Sequence, residues 1–290
     1  MNIGFMGAGR VGGALGLYFK KHGLCVAGYY SRQFTSAKQA ALLTETAAFP
    51  TFEALAGACS MIFFTTPDHV LEEMDKRAAS YVRQTEDPGA KTWVHVSGVF
   101  PSSHLHSLQA LGCPVGSMHP LQSFGAPECS APLLENTSFS LEGTQKAQND
   151  MQAVLQKTGG RYRCILPEQK PLYHAGASII SNYMVTVIDS GMRCMEAAGM
   201  DRQTLYSFLE PLILGTLQNL KGSRPEDALT GPIVRGDVSS VAAHLEAIQK
   251  SLPEELALYK ALARKTVSLA REGRLAPAQA QQLQDLLQEG

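Results

Sequence analysis

Chemistry in this sequence concentrates in a few short stretches, of which the most specific is Gly7-Ala8-Gly9-Arg10-Val11-Gly12. The loop begins directly after the strand-like Asn2–Met6 and opens into a helical pattern, the context in which a Gly-x-Gly-x-x-Gly run cradles a diphosphate. Gly7 would allow the tight turn, Gly9 the approach of the pyrophosphate to the backbone, and Gly12 close packing of helix on strand. Free N–H groups and the positive end of the helix would then meet the phosphates. Without a ligand, the same run is a glycine-rich turn.

The end of the second strand selects among dinucleotides, because a carboxylate there binds a ribose 2′-hydroxyl. This chain has Tyr30-Ser31-Arg32 instead. Ser31 and Arg32 could hydrogen-bond and neutralise a 2′-phosphate, which favours NADP(H) over NAD; an ordinary solvated loop arginine is the plainer reading of Arg32. After the fourth strand, Thr66-Pro67-Asp68 borders the crevice in which parallel sheets bind ligands, although Asp68 could serve only to start a helix.

Three further places carry groups able to act on a substrate. Ser97 closes the fifth strand, where a hydroxyl would lie at the nicotinamide end or simply cap a turn. His119, in the loop that continues through Gln122, has the side chain that titrates nearest neutrality and could exchange a proton as a hydride moves. A structural histidine is the alternative. Downstream, His174, Ser178 and Asn182 recur every four residues along one face of an expected helix, a polar row that needs partners in the protein or a ligand. Arg235, in the turn Leu229–Asp237, could bind an acidic substrate or pair with Asp237.

The elements that must hold these groups fall into two halves. Apolar runs at Asn2–Met6, Leu24–Tyr29, Ser60–Thr65, Thr92–Val96 and Pro114–Met118 alternate with helical patterns, the signature of βαβ units. Strands at Ser138–Leu141 and Tyr162–Ile165 follow. Beyond Pro167 only helical stretches remain, beginning with a long one over Gln169–Ala198. The expectation is an α/β Rossmann domain over residues 1–167, built on a mostly parallel doubly wound sheet. An all-α domain over residues 168–290 follows it. Gly199 and Asp201 read as a helix stop and the next N-cap.

Composition narrows the function classes. With 290 residues, 44% hydrophobic, 18% charged and a net charge of −1, the chain has no basic excess to replace the counterions of nucleic acid or of an anionic membrane. Six scattered cysteines form no metal-ligand or Cys-x-x-Cys spacing. No leader pattern precedes the first strand, so a cytoplasmic location is expected. Ala175–Met192 is poor in charge but holds too many polar groups for a membrane span.

Taken together, Gly7–Gly12, His119-Pro120-Leu121-Gln122, Tyr173-His174-Ala175 with Ser181-Asn182-Tyr183, and Thr230-Gly231-Pro232 with Arg235-Gly236-Asp237 carry a resemblance over nearly the whole chain. The sequence resembles an incompletely characterised Rossmann-like family of the 6-phosphogluconate-dehydrogenase-like superfamily, related to prephenate dehydrogenases, pyrroline-5-carboxylate reductases and deazaflavin-dependent NADP oxidoreductases. The resemblance implies a helical second domain and a homodimer joined through its helices, and places Ser97 and His119 at the reacting group. Leu121-Gln122 stands where prephenate dehydrogenases have a nearby glycine, and Ser178 where β-hydroxyacid dehydrogenases have a catalytic lysine four residues before an asparagine. The expected activity is an NADP(H)-dependent oxidoreductase for a small polar, possibly anionic substrate. His119, Ser97 and Asn182 are its catalytic candidates, and Gln122, His174, Ser178 and Arg235 its substrate ligands. A non-catalytic NADP(H) sensor and a flavin- or deazaflavin-linked NADP reductase are the alternatives.

Overall fold

The computed structural model describes residues 1–84 and 87–288. It forms two compact units, Met1–Asn182 and Tyr183–Gly290, so the first helix after the sheet belongs with the sheet rather than with the residues beyond 167.

In the first unit eight strands make one sheet: β1 (Asn2–Met6), β2 (Cys25–Tyr30), β3 (Ala47–Ala48), β4 (Met61–Phe64), β5 (Thr92–His95), β6 (Val115–Pro120), β7 (Ser138–Gly143) and β8 (Arg161–Cys164). Their spatial order is β3-β2-β1-β4-β5-β6-β7-β8. β1 to β6 run parallel, β7 returns antiparallel to β6, and β8 is parallel to β7. The order reverses between β1 and β4, so the chain leaves these neighbouring strands in opposite directions and opens a crevice at their carboxyl ends. The two-residue β3 is an edge strand too short to leave an apolar alternation in the sequence.

Helices cover both faces, which is why β4, Met-Ile-Phe-Phe, is buried at every position instead of alternating with polar residues. On one face α1 (Arg10–Lys21), α2 (Phe34–Thr44) and α7 (Gln145–Thr158) pack Leu15, Phe19, Ala41 and Met151 against Ile3, Phe5, Phe63, Met118 and Leu141. On the other, α3 (Phe52–Ala58), α4 (Leu71–Val82) and α5 (His106–Ala110) pack Leu55, Ala78 and Leu108 against Met6, Ile62, Phe64, Trp93 and Val115. The short α6 (Pro127–Ser130) lies against α1, and α8 (Lys170–Ile180) follows the last strand.

The expected helix over Gln169–Ala198 is interrupted. α8 ends at Ser181 (φ −100°, ψ −66°), and α9 (Asn182–Ala197) starts afresh. His174 and Ser178 therefore share a helix, while Asn182 lies past the break and is exposed. The apolar character of Ala175–Met192 runs unbroken through this point, so composition alone gives no stop signal.

From Tyr183 the second unit is helical, with most of α9, then α10 (Arg202–Leu220), α11 (Pro225–Ala228), α12 (Val238–Ser251), α13 (Leu256–Arg271) and α14 (Pro277–Gln288). Val241, Val267, Ala270, Leu283 and Leu287 form its core. Gly199 takes φ +96°, and the Asp201 carboxylate accepts from Gln203 N–H to start α10. Asp237 caps α12 in the same way through Ser240 N–H. Among the described residues no helix is long and apolar enough to cross a membrane.

Phe63 is fully buried at the centre of the sheet and stacks 5.6 Å from Phe5. Phe63→Ala is expected to destabilise the first unit by about 3–5 kcal/mol, measurable as a lowered urea midpoint.

Candidate active site

The crevice is built first by a steric constraint. Gly7 adopts φ +116°, and a side chain there would strike the Thr65 backbone at 2.7 Å. Gly12 is equally confined, since a Cβ would meet Gly7 O and Thr65 Oγ1, each at 2.7 Å. The Thr65 hydroxyl donates to Gly7 O at 2.9 Å and ties the loop to the end of β4. Gly9 differs, because the space beyond its Cα is open and it lines the crevice.

Two cavities meet over this turn. One, of about 490 Å³, is lined by Gly7–Gly9, Tyr30-Ser31-Arg32, Ser36, Thr66 and Arg77. The other, of about 410 Å³, shares Gly9, Thr65, Thr66 and Pro67 and runs past Arg10 and Asp68 to Ser97, Gly98 and His119. Three features of this lining fit a dinucleotide. Gly9 starts α1 with no side chain capping its free N–H groups, and no acidic residue occupies the first turn. Thr66 Oγ1 is buried without a hydrogen-bond partner among the described residues. Finally, the Arg32 side chain, exposed at the cavity rim, makes no ion pair or hydrogen bond among the described residues. By contrast Arg77 is committed to Tyr30 Oη at 2.7 Å and to Glu53.

At the far end, the sheet face that packs Trp93 and Val115 turns polar. Register pairs His95 with Ser117, Ser117 with Glu142, and His119 with Ser140, so all five side chains share one face. Contacts explain several of them. Glu142 accepts from Ser102 N–H at 2.6 Å and from the Ser102 hydroxyl at 2.7 Å, fixing the turn after β5. His95 Nδ1 accepts from Ser97 N–H at 3.2 Å. The Ser97 hydroxyl donates to Asp68 at 3.0 Å and accepts from Phe100 N–H at 3.1 Å, so it orients its own turn while facing the cavity.

His119 is held by Tyr173 of α8, whose hydroxyl lies 3.0 Å from Nδ1. Its Nε2 points towards Gly98, where an added Cβ would come within 2.8 Å of Nε2 and 2.4 Å of the His174 ring. A side chain at position 98 would therefore displace one or both imidazoles from the β5 turn. Burial, then the Lys170 charge and His174, push His119 down to about 3. At neutral pH it is a neutral imidazole, able to donate or accept one hydrogen bond but carrying no imidazolium proton.

Lys170 is the residue that sequence reasoning missed. It is fully buried, donating to Ser97 O at 2.8 Å and to Ser117 Oγ at 2.6 Å. Burial lowers it to about 8 against the opposing pull of Glu142 and Asp68. A lysine at a helix start looks in sequence like a solvated charge, and nothing local marks contacts 73 and 53 residues away. The other expected site residues are placed variously. His174 joins His119 with ring centroids 6.0 Å apart, and Ser178 lies one turn further along α8. Gln122 is used within its own loop, donating to Thr137 Oγ1 and accepting from Ser123 N–H. Arg235 belongs to the second unit, beside Asp237, whose carboxyl is held at about 2 by hydrogen bonds from Ser240 and Ser239 with help from Arg235.

Residues 1–120 match a Rossmann-like domain, and residues 137–266 match a domain of unknown function, DUF2520. The first match spans β1 to β6, and the second begins just before β7 and runs on into the helices of the second unit. Its fold is similar to that of a Thermotoga maritima protein at 23% identity and TM-score 0.72, covering 94% of this chain and 100% of that one. A Bacteroides fragilis protein described as an NADP oxidoreductase aligns at 19% identity and TM-score 0.74, over 91% and 97% of the two chains. Pyrroline carboxylate reductase of Plasmodium falciparum, solved with NADP bound, aligns at 15% identity and TM-score 0.60, over 99% and 98%. No curated protein matches the sequence.

The buried histidines make stability depend on pH. His95 and His119 both lie near 3 in the folded protein, far below an ordinary imidazole, so the unfolded chain binds more protons between about pH 6.5 and 3. Stability contributed by keeping them neutral is complete above 6.5 and is lost as pH falls through that window, at up to about 1.4 kcal/mol per pH unit for each histidine. Chemical denaturation at successive pH values should show a smaller slope in His119→Gln.

Proposed function

We propose that the protein is an NADP(H)-dependent oxidoreductase acting on a small polar substrate. The observation that carries this reading is the meeting of the two cavities over Gly9, one ending at Ser31 and Arg32 and the other at Ser97 and His119. When bound, NADP(H) would supply or accept the hydride. Gly7, Ala8, Gly9, Arg10, Val11 and Gly12, with Thr66, Pro67 and Asp68, would hold its diphosphate and ribose, and Ser31 and Arg32 its 2′-phosphate.

The chain's own groups then have distinct tasks. Ser97 presents an oriented hydroxyl, and His119 a neutral imidazole nitrogen, to the oxygen or nitrogen of the substrate that gains or loses a proton. His174 and Ser178 would bind the rest of the substrate from α8. Asp68, exposed beside Ser97, connects that hydroxyl to solvent. The fold neighbours described above as an NADP oxidoreductase and an NADP-bound reductase support this class of activity.

The homodimer expected from the resemblance is proposed on the second unit's own surface. Tyr183, Val185, Tyr206, Phe208, Leu212 and Leu214, on α9 and α10, are each more than half exposed. Apolar exposure on this scale marks an interaction site, and a second copy would cover it.

Calorimetric titration should show NADPH binding at least tenfold more tightly than NADH, with Arg32→Ala removing the difference. Binding of neither nucleotide would remove the reading. Sedimentation equilibrium should give twice the 31.2 kDa chain mass, and Leu212→Glu should shift the protein to monomer. A wild-type monomer at tens of micromolar would remove the dimer.

A further inference from the structure

Lys170 occupies a position that neither helix formation nor packing favours. As the first residue of α8 it meets the positive end of the helix dipole, and its complete burial strips the ammonium of water. Among the described residues no carboxylate stands at ion-pair distance to offset this. An apolar side chain of similar length would relieve both costs, so the charge itself must have a use.

That use follows from what the ammonium touches. Ser97 and His119, the two side chains that face the reacting end of the cavity, belong to different segments, the turn after β5 and the strand β6. β5 and β6 are paired by backbone only as far as His95 with Ser117, so both candidate groups lie past the last paired residues of β5. There the Ser117 hydroxyl reaches Ser97 O at 3.3 Å, a long contact that Lys170 closes into a firm cross-link with one N–H to Ser97 O and another to Ser117 Oγ, two residues before His119. The same helix then delivers Tyr173 to His119 Nδ1 and His174 against Gly98.

We propose that Lys170 is a positioning residue, whose buried ammonium locks the end of β5 to β6 and so sets Ser97 and His119 as a fixed pair across the reacting end of the cavity. It deepens the functional reading, and rests on it for the roles of Ser97 and His119. Its second effect is electrostatic. His119 is faced by Lys170, His174 and the Tyr173 hydroxyl from α8, by Gly98 from the β5 turn, and by Ser140 across β7. Lys170 is the one fixed cation in that set, and it works with burial to keep His119 uncharged. Glu142 and Asp68 face Lys170 itself and sustain its charge against burial.

The test is nuclear magnetic resonance of the full chain with labelled histidine and lysine, without nucleotide, so that its outcome is separate from whether NADP(H) binds. In the wild type the Lys170 ammonium protons should exchange slowly with water and show through-space contacts to Ser97 and Ser117; a freely exchanging ammonium without those contacts overturns the proposal. Lys170→Met should let His119 protonate at a pH at least one unit higher and should shift its ring resonances, and Lys170→Arg should restore the low midpoint. A folded Lys170→Met with an unchanged His119 titration and unshifted ring resonances contradicts it. Should Lys170→Met fail to fold, Ser117→Ala removes one end of the cross-link. It should move the Lys170 and His119 resonances together, and movement of neither would count against the lock.

Discussion

The hydrogen bond from the Thr65 hydroxyl to Gly7 O fixes the geometry on which the rest depends. It joins the ends of β1 and β4, the two strands between which the order of the sheet reverses, at a separation only glycine permits at positions 7 and 12. Because the loop cannot relax towards β4, its free N–H groups open outward and α1 starts beneath the crevice. Both cavities then follow from one close contact, one running to Ser31 and Arg32 and the other to the ends of β5 and β6.

A second constraint governs the reacting end. The sheet face that buries Met6, Phe64 and Trp93 becomes polar at His95, Ser117, His119, Ser140 and Glu142, where a hydrophobic lining would be the less costly solution. Such groups are tolerated where contacts compensate them, and here Ser102, Ser97, Tyr173 and Lys170 supply most of those contacts. The result is a charged group held behind neutral ones. Lys170 stays out of the cavity, while Ser97 and the uncharged His119 line it.

Sequence carried the architecture because its physics is local. Continuous apolar runs such as Met61–Phe64 reveal buried parallel strands, and the spacing of Gly7, Gly9 and Gly12 reveals a turn. It also brought Ser97 and His119 forward, since each ends a strand on the side where such sheets bind ligands. What it missed rests on distant contacts. Lys170, the Tyr173 partner of His119 and the proximity of His174 to Gly98 are set by the path of α8 across the sheet, which no short-range pattern records. The break at Ser181 was hidden for a related reason, since the composition on its two sides is the same. Gln122 shows the converse, a polar side chain placed beside a histidine in sequence but spent on Thr137 and its own loop.

The position of a bound nucleotide tests this architecture most directly. A crystal structure grown with NADP⁺ should show the diphosphate over Gly9 at the start of α1, the 2′-phosphate against Ser31 and Arg32, and the nicotinamide beside Ser97, Gly98 and His119. A nucleotide bound elsewhere, or a nicotinamide turned away from Ser97 and His119, would contradict it.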